Sequence, residues 1–474
     1  MWFLGGFILV AVLTFGFCAE AKESKEQRGA QVIASLQGEL GATTNRADRE
    51  RIQNLVNEVQ AAIRNHGRPP VPKSIDVFQL PLFHHHYAFA NVGLGKRRAT
   101  NLRASEGADL SKIDPLPSTF WSRPATVATQ NLRAGFGRSV APTFEDRVWN
   151  YAAPKTSYGA HAGFEAERDG QRIKIKFGEL HSEPFTARVF HALGFNVDPT
   201  DFSTGLKIRY DRRLFSEFNS RKPVDTKLTT AGVLPVWTIR FQPKHDPYRF
   251  IVGAVLMDGR RTTGGEFRTL MADEQREAQI DYIITAPANV QLKDKSAKSI
   301  GPWNFGQLGH ENLRELRGAG LLAAWLGWFD SRFDNTRLKV VEQAGRTELK
   351  HYFTDLGGGL GKRSGWFGWY REDVNVFPDH FTRPEIFQGK GRMTIPFRIV
   401  NFRPIEPTPA FREMTVDDAR WMARLIAQLT DQQIRDALAG SGFDEAAVQA
   451  FALKIFSRRD RMLRDLGLAN GTTR

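Results

Sequence analysis

Cysteine is almost absent from this chain of 474 residues, because Cys18 is the only one. A lone thiol forms no intramolecular disulfide and supplies too few thiolates for a zinc or iron–sulfur site. If residues 1–21 are a cleaved leader, the mature chain has no cysteine at all. The scarcity excludes cysteine chemistry and is compatible with an oxidising compartment, where an unpaired thiol is a liability.

Three common catalytic or nucleotide-binding motifs are also missing. No Gly-x-Ser-x-Gly occurs, so a serine hydrolase has no support. Residues 310–311 are His-Glu, but Arg314 stands where a zinc protease has its second histidine. Residues 361–362 are Gly-Lys, but Leu356 stands where a P-loop requires its first glycine. Any chemistry must therefore rest on other residues.

Long apolar runs are confined to the N-terminus. Residues 1–17 are uncharged and mainly apolar, and Ala19 and Ala21 precede the charged Lys22. This pattern predicts a signal peptide cleaved after Ala21, and therefore an exported protein, periplasmic or secreted. A retained membrane anchor and a lipoprotein attached at Cys18 are the alternatives. No later stretch is long and apolar enough to cross a bilayer.

Basic residues outnumber acidic ones, 66 to 52, which gives a formal charge of +14. Loss of residues 1–21, whose only charged side chain is Glu20, would remove one negative charge and raise the total to +15. The basic residues are dispersed rather than gathered in a stripe, so specific nucleic-acid binding is not expected. Outside the cytoplasm, an anionic envelope surface or a phosphorylated ligand suits this charge.

Helical periodicity dominates residues 22–75. It predicts helices over Glu26–Leu40 and Asn45–Asn65, and the second carries an apolar stripe. Successive prolines in residues 68–72 then forbid helix. We therefore expect a helical hairpin followed by a Pro-rich linker. A packing arm or spacer is its simplest role, because amphipathic helices bury their apolar face.

Short β-branched and aromatic runs fill residues 76–300, whereas helical patterns prevail over residues 301–474. A strand-rich first part and a helical second part predict an α+β fold. The elements expected in the first part are strands over Arg172–Phe177, Val233–Phe241, Arg249–Met257 and Ile280–Thr285, and a helix over Glu183–Leu193. The elements expected in the second part are a helix over Leu313–Trp328, strands over Arg337–Val341 and Leu349–Thr354, a helix that begins with a capping box at Thr415 and Asp418 and is broken by Gly440, and a helix over Asp444–Leu466.

The most informative pattern is an Asp-x4-Asn made by Asp330 and Asn335, followed by Asp355-Leu-Gly357. Phosphoryl transfer needs a carboxylate near the accepting hydroxyl and further oxygen ligands that hold Mg²⁺ against the phosphates. The pattern offers these three groups. Gly357 would allow a sharp turn that exposes the carboxylate of Asp355.

A lysine and a glutamate upstream add to this pattern. Lys176 lies on a predicted strand, and Glu183 lies in the first turn of a predicted helix. A kinase uses a strand lysine on the nucleotide phosphates and a helix carboxylate that orients the lysine. The two residues can fill those roles, although only seven positions separate them.

The order of these features resembles the protein-kinase-like superfamily, in its HipA-type and CotH-type branches, and is similar in particular to exported bacterial proteins of unassigned function. The resemblance covers residues 120–465. It implies a two-lobed body, with a β-rich N-lobe over residues 76–300 and a helical C-lobe over residues 301–474. It also implies a phosphotransferase that uses ATP or another nucleotide with Mg²⁺ or Mn²⁺ and acts on an unknown protein or small-molecule acceptor.

Carried over position by position, the resemblance assigns roles to five residues. It implies Lys176 on the phosphates and Glu183 as its partner. It further implies Asp330 as the catalytic base, with Asn335 and Asp355 on the metal. Residues 328–329 are Trp-Phe, where ordinary kinases have His-Arg.

A glycine-rich loop over the phosphates is less clear. Gly159 and Gly163 are the nearest candidates for nucleotide-binding glycines before Lys176, together with Gly357 after Asp355. No Gly-x-Gly-x-x-Gly motif precedes the lysine. Two further functions therefore remain open: a kinase-like binding module without turnover, directed at an anionic or phosphorylated envelope ligand, and an envelope structural protein. Scarcity of nucleotide outside the cytoplasm favours the first of these two.

Each site residue also has a plainer interpretation. Lys176 could be an ordinary water-facing strand residue, and Glu183 could serve the helix dipole alone. Asp330 could simply cap or solvate a helix end. Among the remaining patterns, the histidines of residues 84–86 and the aromatic residues of 366–370 are more readily explained by surface or packing roles.

Overall fold

A computed structural model describes residues 23–66, 97–155, 161–218, 225–228, 237–240, 245–343, 346–364, 368–386, 395–400, 402, 404 and 408–468. The predicted signal peptide, the Pro-rich linker, the histidines of residues 84–86, Gly159 and residues 366–367 lie outside these ranges.

The described residues form a mixed structure of helices and β-sheets, which is consistent with the α+β class. The helices are α1 (Lys25–Ala42), α2 (Arg46–Asn65), α3 (Ser182–Ala192), α4 (Arg212–Glu217), α5 (Gly264–Leu270), α6 (Glu274–Glu277), α7 (Arg314–Leu326), α8 (Pro409–Arg412), α9 (Val416–Ile426), α10 (Asp431–Gly440) and α11 (Glu445–Asp465). Short 3-10 turns cover Leu110–Lys112, Val127–Thr129, Pro247–Phe250, His310–Asn312, Phe333–Asn335 and Leu356–Gly358.

The strands are β1 (Val148–Pro154), β2 (Ala162–Arg168), β3 (Gln171–Phe177), β4 (Asn196–Val197), β5 (Thr200–Ser203), β6 (Lys207–Arg209), β7 (Asp225–Leu228), β8 (Trp237–Arg240), β9 (Ile251–Leu256), β10 (Arg261–Thr263), β11 (Ile280–Thr285), β12 (Ala288–Lys293), β13 (Ala297–Gly301), β14 (Thr336–Gln343), β15 (Arg346–Phe353), β16 (Lys362–Ser364), β17 (Gly368–Tyr370), β18 (Thr382–Ile386) and β19 (Ile395–Ile399). Three pairs stand apart as two-stranded ribbons: β7 with β8, β16 with β17, and β18 with β19.

The largest sheet has nine strands in the order β10-β9-β11-β6-β1-β2-β3-β12-β5. Strand β3 pairs antiparallel with β2 on one side and with β12 on the other. Its alternation is regular, because Ile173 and Ile175 are fully buried in an apolar cluster beneath the sheet. The lysines at alternate positions therefore point to the opposite face.

A second sheet has the order β13-β14-β15-β4 and takes strands from both sides of residue 300. Helices α1 and α2 pack on each other and against β13. Ile52, Val56 and Val59 supply the buried face of α2, which meets apolar side chains of β13, β14 and β15 in a separate core. Within this pair, Ser24 and Asn45 cap the two helices through side-chain oxygens.

The largest core surrounds α7, whose residues are all buried. Helices α8 and α9 pack on it, and α3 packs against the 3-10 turn at 356–358. This turn follows β15, so α3, the end of β3 and the segment after β15 meet at one place. That meeting point is where the chemistry-bearing side chains collect.

The predicted elements match well except at the C-terminus. Strand β11 has the predicted bounds, β3, β9, α3 and α7 lie within one or two residues of them, and β15 starts three residues earlier than predicted. The continuous helix expected from Thr415 to Gly440 is wrong, because the chain forms α9 and α10 instead. A second capping box, in which Thr430 and Gln433 bond reciprocally, starts the new helix and accounts for the break.

Candidate functional site

The Lys176 ammonium is the centre of a buried cluster of charges. Its Nζ donates to Glu183 Oε2 at 2.9 Å and to Asp355 Oδ1 at 2.6 Å. Glu179 accepts a third bond from the same nitrogen. Lys176 is only 7% exposed, so the interpretation of it as a water-facing strand residue is wrong. One ammonium thus serves three carboxylates.

The short connection between β3 and α3 brings Lys176 and Glu183 together. Glu179, in this connection, has a φ of 52°, in the left-handed region, which turns the chain sharply after the strand. The backbone N–H groups of His181 and Ser182 donate to Glu372 Oε1 at 2.8 and 2.7 Å. This carboxylate satisfies two donors at the helix start that have no partner within the helix. Glu183, in the first turn of α3, is consequently held close to the end of β3.

The Asp355 turn is built to fit against this connection. Asp355 has a φ of 54°, and the Gly357 carbonyl accepts from Ser182 Oγ at 2.8 Å. A Cβ at Gly357 would lie 2.1 Å from Glu179 Oε2. Only glycine therefore leaves room for the Glu179 carboxylate beside Lys176.

Asp330 and Asn335 lie on the adjoining loop. Asn335 Nδ2 donates to the Asp330 backbone carbonyl at 2.8 Å, which closes the Asp-x4-Asn segment on itself. A Cβ at Gly358 would lie 3.1 Å from the Asp330 Cβ, so this loop contacts the turn that carries Asp355. Asp330 is only 7% exposed, and its Oδ1 lies 2.8 Å from Arg332 Nε.

The charges shift one another's proton affinity. Burial raises the pKa of Asp330 to about 6, and the negative charges of Asp355 and Glu179 add to this effect against the opposing Arg332. Burial also raises the pKa of Glu183. Burial alone would raise the pKa of Glu179 as well, but the Lys176 ammonium reverses the direction and lowers it to about 2.

Lys176 and Asp355 reinforce each other in the same way. Burial opposes the charged form of each, yet the attraction between them prevails. The pKa of Lys176 is raised above its usual value, and that of Asp355 is lowered. Both groups are therefore charged near neutral pH.

The flanking strands contribute two more neighbours. Gly163 on β2 and Asn289 on β12 are the register partners of Lys176. A Cβ at Gly163 would lie 2.1 Å from the Ile175 carbonyl oxygen, so the strands approach closely there. Asn289 Nδ2 donates to Glu183 Oε2 at 2.7 Å, which fixes the carboxylate that faces the lysine.

Sequence reasoning missed four residues of this site: Glu179, Asn289, His161 and Arg371. Arg371 Nη1 lies 2.7 Å from Glu179 Oε1, and His161 Nε2 lies 3.5 Å from the same atom. An acidic residue directly after Gly178, the first residue past β3, is a pattern that could indicate Glu179. No pattern along the chain connects Arg371 or Asn289 with Lys176, because the contacts are made only in the folded protein.

Three carboxylates can serve a cation here. Oxygen atoms of Glu179, Glu183 and Asp355 all lie within 4.8 Å of one another. Carboxylate oxygens are the ligands that Mg²⁺ and Mn²⁺ prefer, so the donor set fits such an ion. The Lys176 ammonium now neutralises part of their charge. Asn335 lies on the neighbouring loop, where its backbone carbonyl accepts from the Thr354 N–H at 2.9 Å.

Comparison of the chain with protein-family models, with curated proteins and with solved structures finds no match in any of the three. Within the described ranges, no helix has both the length and the apolar character needed to cross a membrane.

Proposed function

We propose that this chain is an exported phosphotransferase of the protein-kinase-like kind, which binds a nucleotide with Mg²⁺ or Mn²⁺. One observation carries the proposal: Lys176 Nζ lies within 2.9 Å of a helix carboxylate, Glu183, and within 2.6 Å of a carboxylate on a glycine turn, Asp355. Kinases combine a strand lysine, a helix glutamate and a metal-binding aspartate in this way.

Nucleotide binding would use the ammonium of Lys176. Glu183 Oε2 accepts from Lys176 Nζ at 2.9 Å and from Asn289 Nδ2 at 2.7 Å. Asn289 thus fixes the carboxylate that orients the ammonium. Glu179 is the group that has to yield, because its carboxylate occupies a position on the ammonium that a phosphate oxygen would take. Arg371 and His161 lie beside Glu179 and can retain it after it leaves the lysine.

The bound divalent ion would offset the negative charge of the phosphates during transfer. Asp355 and Asn335 are the residues that would hold it. The left-handed backbone at Asp355 and the bond from Asn335 to the Asp330 carbonyl keep both side chains on adjoining turns. Glu179 can join as a further carboxylate once it has released Lys176.

Asp330 would act as the general base. Its carboxylate would accept the proton of the acceptor hydroxyl while that oxygen forms a bond to the γ-phosphorus, and the nucleoside diphosphate would leave with the electrons of the broken P–O bond. Burial that raises the pKa of Asp330 to about 6 suits this task, since a base works best with a pKa near the ambient pH. Gly357 would permit close approach of the nucleotide once Glu179 has moved, whereas the space beside Gly163 is filled by the Ile175 carbonyl.

We extend the proposal to the architecture and location of the chain. The large sheet with α3 would be the N-lobe, and the helical part around α7 would be the C-lobe, with the cluster between them. Helices α1 and α2 would be the predicted hairpin. The apolar N-terminal segment supports export, and the charge of +14 suits an anionic envelope surface.

A second candidate is a kinase-like binding module without turnover. The ion pair of Asp330 favours this candidate. Arg332 Nε lies 2.8 Å from Asp330 Oδ1, and this positive charge would make Asp330 a weaker base. Such a protein would hold a phosphorylated or anionic envelope ligand at Lys176. It would require Lys176 for affinity but not Asp330.

The test is thermal shift and phosphate transfer on the purified chain. Mg²⁺ or Mn²⁺ with ATP should raise Tm, because a ligand that binds only the native state stabilises it. Transfer of a labelled γ-phosphate should be abolished in D330N and D355N, whereas D334N, which removes the neighbouring carboxylate, should stay active. If the unmodified chain binds nucleotide but transfers no phosphate, and D330N binds equally well, the binding module is supported. Absence of any nucleotide effect on Tm would reject the phosphotransferase and shift support toward a structural protein.

A further inference from the structure

A second buried cluster lies where α2 meets the second sheet. Glu58 on α2 faces His310 of the 3-10 turn before α7 and His351 of β15. Its Oε1 lies 2.7 Å from His310 Nε2, and its Oε2 lies 3.2 Å from His351 Nε2. The three residues are far apart in the chain, since 252 positions separate the first pair. None of them belongs to the Lys176 cluster.

The hydrogen bonds of His310 require a cation in this cluster. Its Nδ1 lies 2.7 Å from the backbone carbonyl oxygen of Asn304, which can only accept, so Nδ1 carries a hydrogen. The neutral ring then presents the lone pair of Nε2 to Glu58 Oε1. Two lone pairs at 2.7 Å repel each other, and either a proton or a metal ion has to lie between them.

The second ring nitrogens are held in the manner of metal ligands. His310 Nδ1 bonds the Asn304 carbonyl, and His351 Nδ1 lies 2.7 Å from Thr119 Oγ1. Histidine ligands in metal sites are commonly oriented by such outer bonds to oxygen. Both imidazoles are thereby directed with Nε2 toward Glu58.

An aromatic shell encloses the cluster. The ring of Phe120 stacks on His351 at 3.9 Å between centroids and meets His310 edge to face at 4.8 Å. Trp303 contacts both imidazoles edge to face. His351 has no exposed side-chain surface, and that of Glu58 is 13% exposed. Low polarity around the ligands strengthens their interaction with a cation.

We infer that Glu58, His310 and His351 bind a divalent transition-metal ion, for which Zn²⁺ is the best candidate. Two imidazoles and a carboxylate form a known zinc donor set, whereas Mg²⁺ and Ca²⁺ prefer oxygen alone. The three donor atoms lie within 4.8 Å of one another. Around a tetrahedral zinc, neighbouring donors lie roughly 3.3 Å apart, so the 2.7 Å contact between His310 Nε2 and Glu58 Oε1 would widen when the ion binds.

Such an ion would attach α2 to the body of the protein. Other anchors of this helix within the described residues include its apolar face and two bonds from Asn65 Nδ2, to the Pro302 carbonyl at 3.2 Å and to Gln307 Oε1 at 2.9 Å. A metal that joins α2, the turn at 310–312 and β15 would make the position of the N-terminal helices depend on its presence. A fourth coordination position would be left for water.

The experiment is zinc titration of the metal-stripped full chain against a chromophoric chelator. Excess Mg²⁺ is present throughout, so that oxygen-only sites such as the Glu179 cluster are occupied. One equivalent of Zn²⁺ should bind, and Glu58→Gln and His351→Gln should each weaken its affinity by more than about tenfold. Glu50→Gln, which removes the same charge from an exposed position on α2, should leave the affinity unchanged.

Circular dichroism separates loss of the site from loss of the fold. Glu58→Gln should keep the helical spectrum, because Glu58 lies at the edge of the core. If His351→Gln does not fold, the zinc affinity of Glu58→Gln decides the test. Cobalt substitution should give the visible absorption of a tetrahedral nitrogen and oxygen site that is absent in Glu58→Gln. Failure of the unmodified chain to bind one equivalent, or equal affinity in Glu58→Gln, would show that the cluster holds only a proton and would overturn the inference.

Discussion

The Lys176 ammonium lies 2.9 Å from the Glu183 carboxylate, although the two residues are only seven positions apart. A strand end and a helix start are brought this close by a connection of four residues with a left-handed turn at Glu179. The same turn places Glu179 on the lysine. One short loop therefore determines both the ion pair and the carboxylate that competes for it.

Loss of the ammonium should destabilise the protein strongly. Lys176→Met leaves three carboxylates close together with no central cation, and removal of one partner from a buried ion pair costs about 3–5 kcal/mol. The free energy of unfolding from urea denaturation should fall by this amount. Lys174→Met, at the equivalent position one alternation earlier on β3, should change it by less than about 1 kcal/mol. Equal effects of the two substitutions would contradict the central role of Lys176.

The rate of transfer should depend on the ionisation of Asp330. A base has to be deprotonated, and burial raises its pKa from 3.8 to about 6, so kcat/KM should fall as pH drops through about 6. D334N should retain this acid limb. A profile that is flat between about pH 5 and pH 7 would argue against Asp330 as the base.

The ionisation of Asp330 should also make the stability of the protein depend on pH. Asp330 has a pKa of 3.8 in the unfolded state and of about 6 in the folded state. Between these two pH values the folded protein holds a proton on Asp330 that the unfolded chain has lost. The contribution to stability is thus fully present below the lower value and is lost as pH rises through the higher one. D330N should remove this part of the dependence, as measured by Tm against pH, and D334N should preserve it.

Gly357→Ala tests the fit of the Asp355 turn. The new Cβ would lie 2.1 Å from Glu179 Oε2, so the carboxylate has to move off Lys176 or the turn has to shift. We expect a loss of about 1–3 kcal/mol in the free energy of unfolding. Gly38→Ala is the control, because a Cβ at Gly38 meets nothing within 4 Å, and alanine in a helix should stabilise by about 0.5–1 kcal/mol. Equal stability of Gly357→Ala and the unmodified chain would mean that Glu179 does not need this space.

Asp418 holds two buried arginines as well as a helix start. Its carboxylate lies 2.9 Å from Arg314 Nε and 3.3 Å from Arg317 Nη1, and all three side chains are inaccessible or nearly so. Asp418→Asn keeps an oxygen for the cap but removes the charge, so it should cost about 3–5 kcal/mol. Asp417→Asn, at the neighbouring position, should cost less than about 1 kcal/mol. Equal melting temperatures of the two variants would contradict the importance of the buried charge.

Local patterns predicted the elements well because they depend on neighbours in the chain. The capping box of Thr415 and Asp418 was visible as a sequence pattern and starts α9 in the structure. The identical capping box at Thr430 and Gln433 is harder to recognise in the sequence, since apolar residues continue across it. Asp418 shows the limit of such patterns, because its second role depends on arginines about a hundred positions away.

The sequence by itself determined the alternation of β3, the short path from Lys176 to Glu183 and the glycine turn after Asp355, because each follows from backbone preferences over a few residues. Only the tertiary structure decided that Lys176 is buried, that Glu179 joins it, and that Glu58 meets two histidines. Those facts depend on the packing of strands and helices that are distant in the chain, as the 179 positions between Lys176 and Asp355 illustrate. Burial then sets the proton affinities, and no local pattern carries that information.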